Sequence, residues 1–396
     1  MNNNNNYPFM RIAVSIIRFI VGILFIISGL VKANDPLGLS YKMQEFFEIW
    51  NMGLASSGFF LRSPLISLFH FLHEHSLALS IIMITLEIIA GVALLLGWQK
   101  KFVLNSLLVL IVFFTFLTAY AFLSGKFKNC GCFGDCLPIT PLTSFIKDII
   151  LLVFIIFLAI FQRYIEPVFN VGANRAFMFF SLLASIALQW YVLNYLPLVD
   201  CLPFKKGNNI SQQMQIPAGA IRDSFAIRFV YEKGGKKFEF SPESLPADLA
   251  SYTYVDRVDK LIRKGNAEPP IKGFALNGES MDSTEVILNE PTCILMVCEK
   301  IKRSAPGWIN DLKFLQATAK QKRVPLYIVT SASVPELKSI FNNNGLFDLP
   351  VFTLDNTAVK TAARTNPTVY ILQKGTIKNK YSYTEIDDAA EEVKNL

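Results

Sequence analysis

FVLNSLLVLIVFFTFLTAYAFL, residues 102–123, runs for 22 positions without an acidic or basic side chain. A helix needs about 20 apolar residues to cross the hydrocarbon core of a bilayer. Four further stretches have the same character: residues 12–31, 77–97, 143–161 and 176–196. They predict five transmembrane helices. The composition agrees, because a chain of 396 residues that is 52% hydrophobic and holds 34 phenylalanines is too apolar for an ordinary soluble protein. The first apolar run reads as an uncleaved anchor, since Val31-Lys32-Ala33-Asn34-Asp35 leads straight into a loop with no small-residue cleavage site.

Cytoplasmic loops accumulate lysine and arginine. Arg11, Arg18, Lys100, Lys101, Arg163 and Arg175 all fall on one side of the alternating spans, whereas Lys126, Lys128, Lys205 and Lys206 fall on the other. The larger group places the N-terminus in the cytoplasm and everything after the fifth span outside it, in the periplasm if the membrane is an inner one. The net charge of +7 is largely this topology signal and calls for no nucleic-acid partner. The partners expected are the lipid bilayer and an extracytoplasmic client or redox protein.

Beyond about Leu198 the composition becomes mixed. Residues 225–231 and 237–240 flank Gly234-Gly235 and read as a hairpin within a linker. Further on, strands are expected at 292–297, 325–330, 351–354, 368–372 and 380–383, separated by helices near 308–322, 335–342 and 357–363. That alternation predicts an α/β domain. The fold class is therefore an α-helical membrane bundle followed by an extracytoplasmic α/β domain. The boundaries read as 1–165 for a four-helix membrane domain, 166–197 for the fifth helix, 198–272 for the linker and 273–396 for the last domain.

The chemistry-bearing residues cluster at Cys130-Gly131-Cys132-Phe133-Gly134-Asp135-Cys136, which follows the third span on its outer side. The two glycines supply the backbone freedom of a tight turn. Thiols outside the cytoplasm exchange through disulfides. A strained small-ring bridge between Cys130 and Cys132 would be readily exchanged, with Cys136 or Cys201 passing oxidation onward. The alternatives are a static staple and a metal site. Three thiolates with His70, His73 or His75 could hold zinc or copper, but the spacing lacks the paired Cys-x-x-Cys of zinc ribbons, and Ile66, His70 and His73 also fit one face of an interfacial helix. No metal is assigned. Glu87, inside the second span, is a candidate for proton handling or a neutral structural acid. Lys147 and Asp148 would tune a thiol or form a solvated interfacial pair, and Asp135 opposes thiolate formation.

The run Ser28 to Gly38, the segment Leu86 to Gly97, and the cysteine turn followed by Pro141 to Asp148 resemble the DoxX-like and MauE-like membrane proteins over about the first 165 residues. That resemblance implies a role in maturation of disulfide-rich extracytoplasmic proteins, as for MauE-type proteins and the methylamine dehydrogenase small subunit. The last 120 or so residues resemble a thioredoxin fold, most visibly at Arg364-Thr365-Asn366-Pro367-Thr368, where the resemblance implies a cis Pro367. In place of Cys-x-x-Cys stands Cys298-Glu299-Lys300-Ile301, so the domain is expected to dock partners without redox chemistry of its own, with Cys293 and Cys298 as inert buried thiols. The leading reading is a membrane thiol-disulfide oxidoreductase or an accessory to one. No cofactor is evident, though the need for an electron acceptor suggests a quinone in the bundle. The other readings are a non-catalytic scaffold and a metal-binding membrane chaperone.

Overall fold

The computed structural model describes all residues except 1–7, 128–130, 132–133, 135, 138, 222–223, 264, 266 and 300–306. Its helical part consists of α1 Pro8–Ala33, α2 Pro36–Ala55, α3 Arg62–Glu74, α4 Ser76–Leu96, α5 Lys100–Ser124, α6 Pro141–Ile160 and α7 Val171–Tyr195. Among the described residues five of these, α1, α4, α5, α6 and α7, are long and apolar enough to cross a membrane. Their exposed faces carry phenylalanine, valine and isoleucine, including Phe19, Val109, Phe116 and Phe180, as lipid contact demands. The protein is a multi-pass membrane protein.

Small residues set the closest helix contact. A Cβ on Gly91 of α4 would lie 2.9 Å from the Gly22 carbonyl oxygen of α1, so the backbones meet as packing in lipid favours. At the far end of this pair, Arg18 reaches the carbonyl oxygens of Leu94 (2.7 Å), Leu95 (2.5 Å) and Glu166 (3.0 Å). It satisfies orphan acceptors at the C-terminus of α4 and favours the negative end of that helix dipole.

The segment expected to be a loop after the first span is instead helical. Pro36 occupies the first turn of α2, and the Asp35 side chain accepts from the Gly38 amide at 3.0 Å, a start signal of the usual kind. Phe46, Phe47 and Trp50 of α2 pack on Phe69 of α3 and on Tyr120 and Phe127 at the end of α5. The same helices expose Glu48, Glu74 and His70. This two-faced hairpin covers the end of the bundle rather than crossing it.

The remainder holds α8 Ile210–Gln213, β1 Ser224–Lys233, β2 Lys236–Phe240, β3 Thr253–Arg263, α9 Thr284–Leu288, β4 Cys293–Cys298, α10 Ile309–Lys322, β5 Leu326–Thr330, α11 Val334–Asn343, β6 Val351–Thr353, α12 Asn356–Ala362, β7 Thr368–Gln373, β8 Thr376–Ser382 and α13 Ile386–Lys394. The hairpin β1–β2 forms as expected, with Gly234 and Gly235 at φ of +59° and +74° in its turn. A third strand, β3, pairs antiparallel with β1 and was not anticipated, because its charges at Asp256, Arg257 and Asp259 mask the alternation.

The larger sheet has the order β6-β5-β4-β7-β8. Its first three strands run parallel, β7 runs antiparallel to β4, and β8 antiparallel to β7. One face packs Leu312 and Leu315 of α10, Leu337 of α11 and Val393 of α13; the other packs Val359 of α12 with Phe204, Phe274 and Leu276. The bundle is thus followed by an α/β domain. The Asn366–Pro367 bond is cis.

Candidate thiol site and the buried charges beneath it

Helix order puts the C-terminus of α5, the N-terminus of α6, the C-terminus of α7 and the α/β domain at one end of the bundle. The described residues of the cysteine turn, among them Gly131, Gly134 and Cys136, therefore lie at that end. Phe127, just before it, stacks on Phe46 with ring centroids 4.1 Å apart. Gly131 and Gly134 have φ of +69° and +57°, and the Gly134 amide donates to the Gly131 carbonyl at 3.0 Å. A Cβ on Gly131 would lie 3.0 Å from Lys42 Cγ of α2, and one on Gly134 would lie 3.6 Å from Val31 Cγ1 of α1. Only Gly131 is held close enough to a neighbour for a Cβ to crowd it; at both positions the positive φ is what favours glycine.

Cys136 is bonded to Cys201, 65 residues later. The bridge joins the turn to the start of the α/β domain, in place of a small ring within the turn for this cysteine. Both cysteines are partly exposed. Cys130 and Cys132, and Asp135 with them, lie outside the described residues.

Beneath the turn is a set of buried charges. Lys32 Nζ, near the end of α1, lies 2.9 and 2.6 Å from the two carboxylate oxygens of Glu87 on α4 and 3.1 Å from Ser28 Oγ. It also stands over the Phe114 ring at 4.8 Å, a cation–π contact. The lysine and glutamate side chains are 4% and 5% exposed. Ionised groups in lipid face the bundle interior and pair with one another, and this pair follows that rule. Glu87 is therefore a charge-paired acid. Its partner was missed in the sequence because a lysine one turn from a helix end reads as an interfacial anchor.

Asp148 overturns a second expectation. It is buried, not solvated, accepting from Thr118 Oγ1 at 3.0 Å and pairing with Lys147 Nζ at 2.8 Å. Lys32, Glu87, Lys147 and Asp148 line one cavity of about 20 Å³ between α1, α4, α5 and α6. That volume is room for about one water molecule. It does not accommodate a quinone ring, and the apolar 390 Å³ groove beside Trp98, Asn105 and Ser106 lies at the opposite end from the cysteines.

The histidines are held elsewhere. His73 contacts Glu48 at 3.1 Å, His70 contacts Glu74 at 3.7 Å, and the His75 ring nitrogen lies 2.9 Å from the Phe71 carbonyl oxygen, all on the helical hairpin.

The α/β domain docks on the same end through polar contacts. Arg364 Nε donates to Asp35 at 2.8 Å, Lys360 to Gln44 at 2.9 Å, Lys380 to Asp200 at 3.0 Å, and Asn34 to the Val199 carbonyl at 2.8 Å. Tyr41 OH donates to Glu299 at 3.3 Å, and the Glu299 amide donates to Asn366 Oδ1 at 3.1 Å. Burial, reinforced by Glu299, pushes the Tyr41 hydroxyl well above its ordinary range. The cis-proline end of the domain thus faces α2 one residue from Lys42, against which the cysteine turn lies.

Cys293 and Cys298 end opposite in the sheet's two cores. Burial pushes each thiol up to about 12. Folding keeps both neutral, so their contribution to stability is complete below the ordinary thiol range and is lost as pH rises through about 12. At pH 8 their alkylation is expected to run about a thousandfold slower than that of an ordinary thiol, because only the thiolate reacts. Mass-resolved iodoacetamide labelling with and without denaturant checks this; native labelling at the unfolded rate would contradict it.

Five spanning helices, a cysteine turn over buried charges and a docked α/β domain define a polytopic membrane protein with a cystine at the bundle–domain junction. Residues 10–161, which span α1 to α6, match the family model described as methylamine utilisation protein MauE. Residues 225–264, the three-stranded sheet, match a domain of unknown function (DUF8463). The chain is 31% identical over 148 residues to "Protein TlpB" of Flavobacterium psychrophilum, which is 36% of this chain and 36% of that protein. The match spans about a third of that relative's length.

Proposed function

We propose that this protein carries out thiol–disulfide exchange at the outer face of a cytoplasmic (inner) membrane, in support of disulfide-containing extracytoplasmic proteins. The observation that carries the reading is the Cys136–Cys201 bridge, partly exposed where the bundle that matches the MauE model meets the α/β domain. The orientation rests on Arg11, Arg18, Lys100, Lys101, Arg163 and Arg175, which lie toward the end away from the cysteines. In this reading Cys130 and Cys132 make the next exchange, regenerating the cystine when that pair is itself oxidised, and Glu87 with Lys32 handles protons beneath the turn. The α/β domain is a thioredoxin-like docking module. Its βαβ unit followed by an antiparallel β7–β8–α13, and its cis Pro367, support that likeness.

Purified protein in lipid nanodiscs, mixed with a reduced dithiol peptide, is expected to form peptide disulfide in a rapid burst that Cys201→Ser abolishes. A wild-type protein whose cystine survives the peptide unreacted would make the bridge a staple and the chain a membrane scaffold.

A further inference from the structure

A cleft of about 850 Å³ runs between α2 and α12, and Cys201 lies in its wall. Cys136 does not line it; Cys136 borders, together with Cys201, a separate small pocket beside Val31, Asn34 and Asp35. A molecule entering the cleft therefore meets one half of the cystine. The volume is that of a full ligand site. Along its walls Gln44 is engaged by Ser76 and Lys360, Asn208 by the Pro203 carbonyl and Thr361 by the Thr357 carbonyl, while the side chains of Gln213 and Thr357 suit the unpaired amides and carbonyls of an extended peptide. The cations are Lys42, Lys205, Lys360 and Arg364, against the carboxylates of Glu45 and Glu48. Lys42 is engaged by Glu45 at 2.8 Å, and Lys360 and Arg364 lie over the Tyr41 ring at 5.0 and 5.5 Å, which leaves exposed Lys205 beside Cys201 at the cleft's edge.

We infer that this cleft receives an extended, acidic, cysteine-containing segment of a client protein and delivers its thiolate to Cys201, with Cys136 as the leaving group. This rests on the exchange function proposed above and names its substrate and the sulfur attacked. The client thiolate forms a bond to Cys201 Sγ as the Cys201–Cys136 bond breaks, and the electron pair leaves on Cys136, which takes up a proton. A second client thiolate then attacks the client sulfur. The client disulfide forms, Cys201 departs as thiolate and is protonated. The client loses two electrons and two protons, and the cystine gains both.

The test uses the full chain in nanodiscs with Cys130→Ser and Cys132→Ser, so that the cystine alone reports. Two single-cysteine peptides of equal length, one acidic and one basic, are mixed with it, and the mixed disulfide is located by mass spectrometry. The adduct is expected on Cys201, and the acidic peptide is expected to react about tenfold faster at low salt. Lys205→Glu removes that preference. An adduct on Cys136, or equal rates for the two peptides, overturns the inference. Dithiothreitol separates the two levels: if it reduces the native cystine while the peptides show no preference of site or charge, only the cleft assignment fails. If dithiothreitol leaves the native cystine intact, the exchange function fails with it.

Discussion

Glu87→Leu is expected to destabilise the bundle by about 3–5 kcal/mol, because it leaves the buried Lys32 ammonium without its charge partner. Lys32→Met should cost a similar amount by stranding the carboxylate. The double variant should recover most of the loss, since two apolar side chains of similar length replace a pair whose attraction is offset by desolvation. Thermal unfolding in a fixed detergent, read as a double-mutant cycle, measures this. Single variants within 1 kcal/mol of wild type, or additive losses, would show that the pair does not act as a unit. The restored double variant also tests the chemistry. If it oxidises the dithiol peptide at the wild-type rate, Glu87 only holds α1 to α4; if it folds normally and exchange slows, proton handling by Glu87 is supported.

Much of this architecture is legible in the chain because the bilayer imposes a strong periodicity-free signal: five apolar runs of helical length appear as α1, α4, α5, α6 and α7. The alternation of the α/β domain is similarly open to reading, and the cis bond at Pro367 is what the resemblance to a thioredoxin fold implied. The site was legible only as a neighbourhood. Cys136 and Cys201 could be placed at one face from the topology, but which thiols bond depends on distance, and Phe127 stacking on Phe46 of the unanticipated α2 helps set the turn's place. The helix has a visible start in Asp35-Pro36, but Lys42, Glu45 and Glu48 interrupt its apolar pattern. The run Ser28 to Pro36 shows the limit most clearly. In sequence it is a family likeness; in the structure Val31 supports the turn, Lys32 pairs with Glu87, Asn34 holds Val199, and Asp35 caps α2 while binding Arg364. Apart from the cap, which is local, these roles come from partners 55 to 329 positions away, which no local pattern encodes.

Asp35 makes the second large prediction. Arg364 is 4% exposed, donates to Asp35 and to the Lys360 carbonyl, and stands over Tyr41, so it links β7's approach to the first turn of α2. Arg364→Ala leaves the Asp35 carboxylate with its charge partner gone, at an expected cost of about 3–5 kcal/mol to docking of the α/β domain. Asp35→Ala should add the loss of a helix cap, about 1 kcal/mol more. The cost belongs to the junction, not to either core: Leu295 and Val329 remain buried in the sheet, and the Cys136–Cys201 bond still tethers the domain. Hydrogen exchange should therefore quicken in residues 36–47 and 363–367 and stay unchanged in β4 and β5. Because α2 and α12 are opposite walls of the cleft, oxidation of the acidic peptide should slow severalfold, while reduction of the cystine by dithiothreitol, which needs no cleft, keeps its rate. Unchanged exchange in α2 would mean that the disulfide and the Lys380–Asp200 pair suffice to seat the domain, and that Arg364 serves only its own loop.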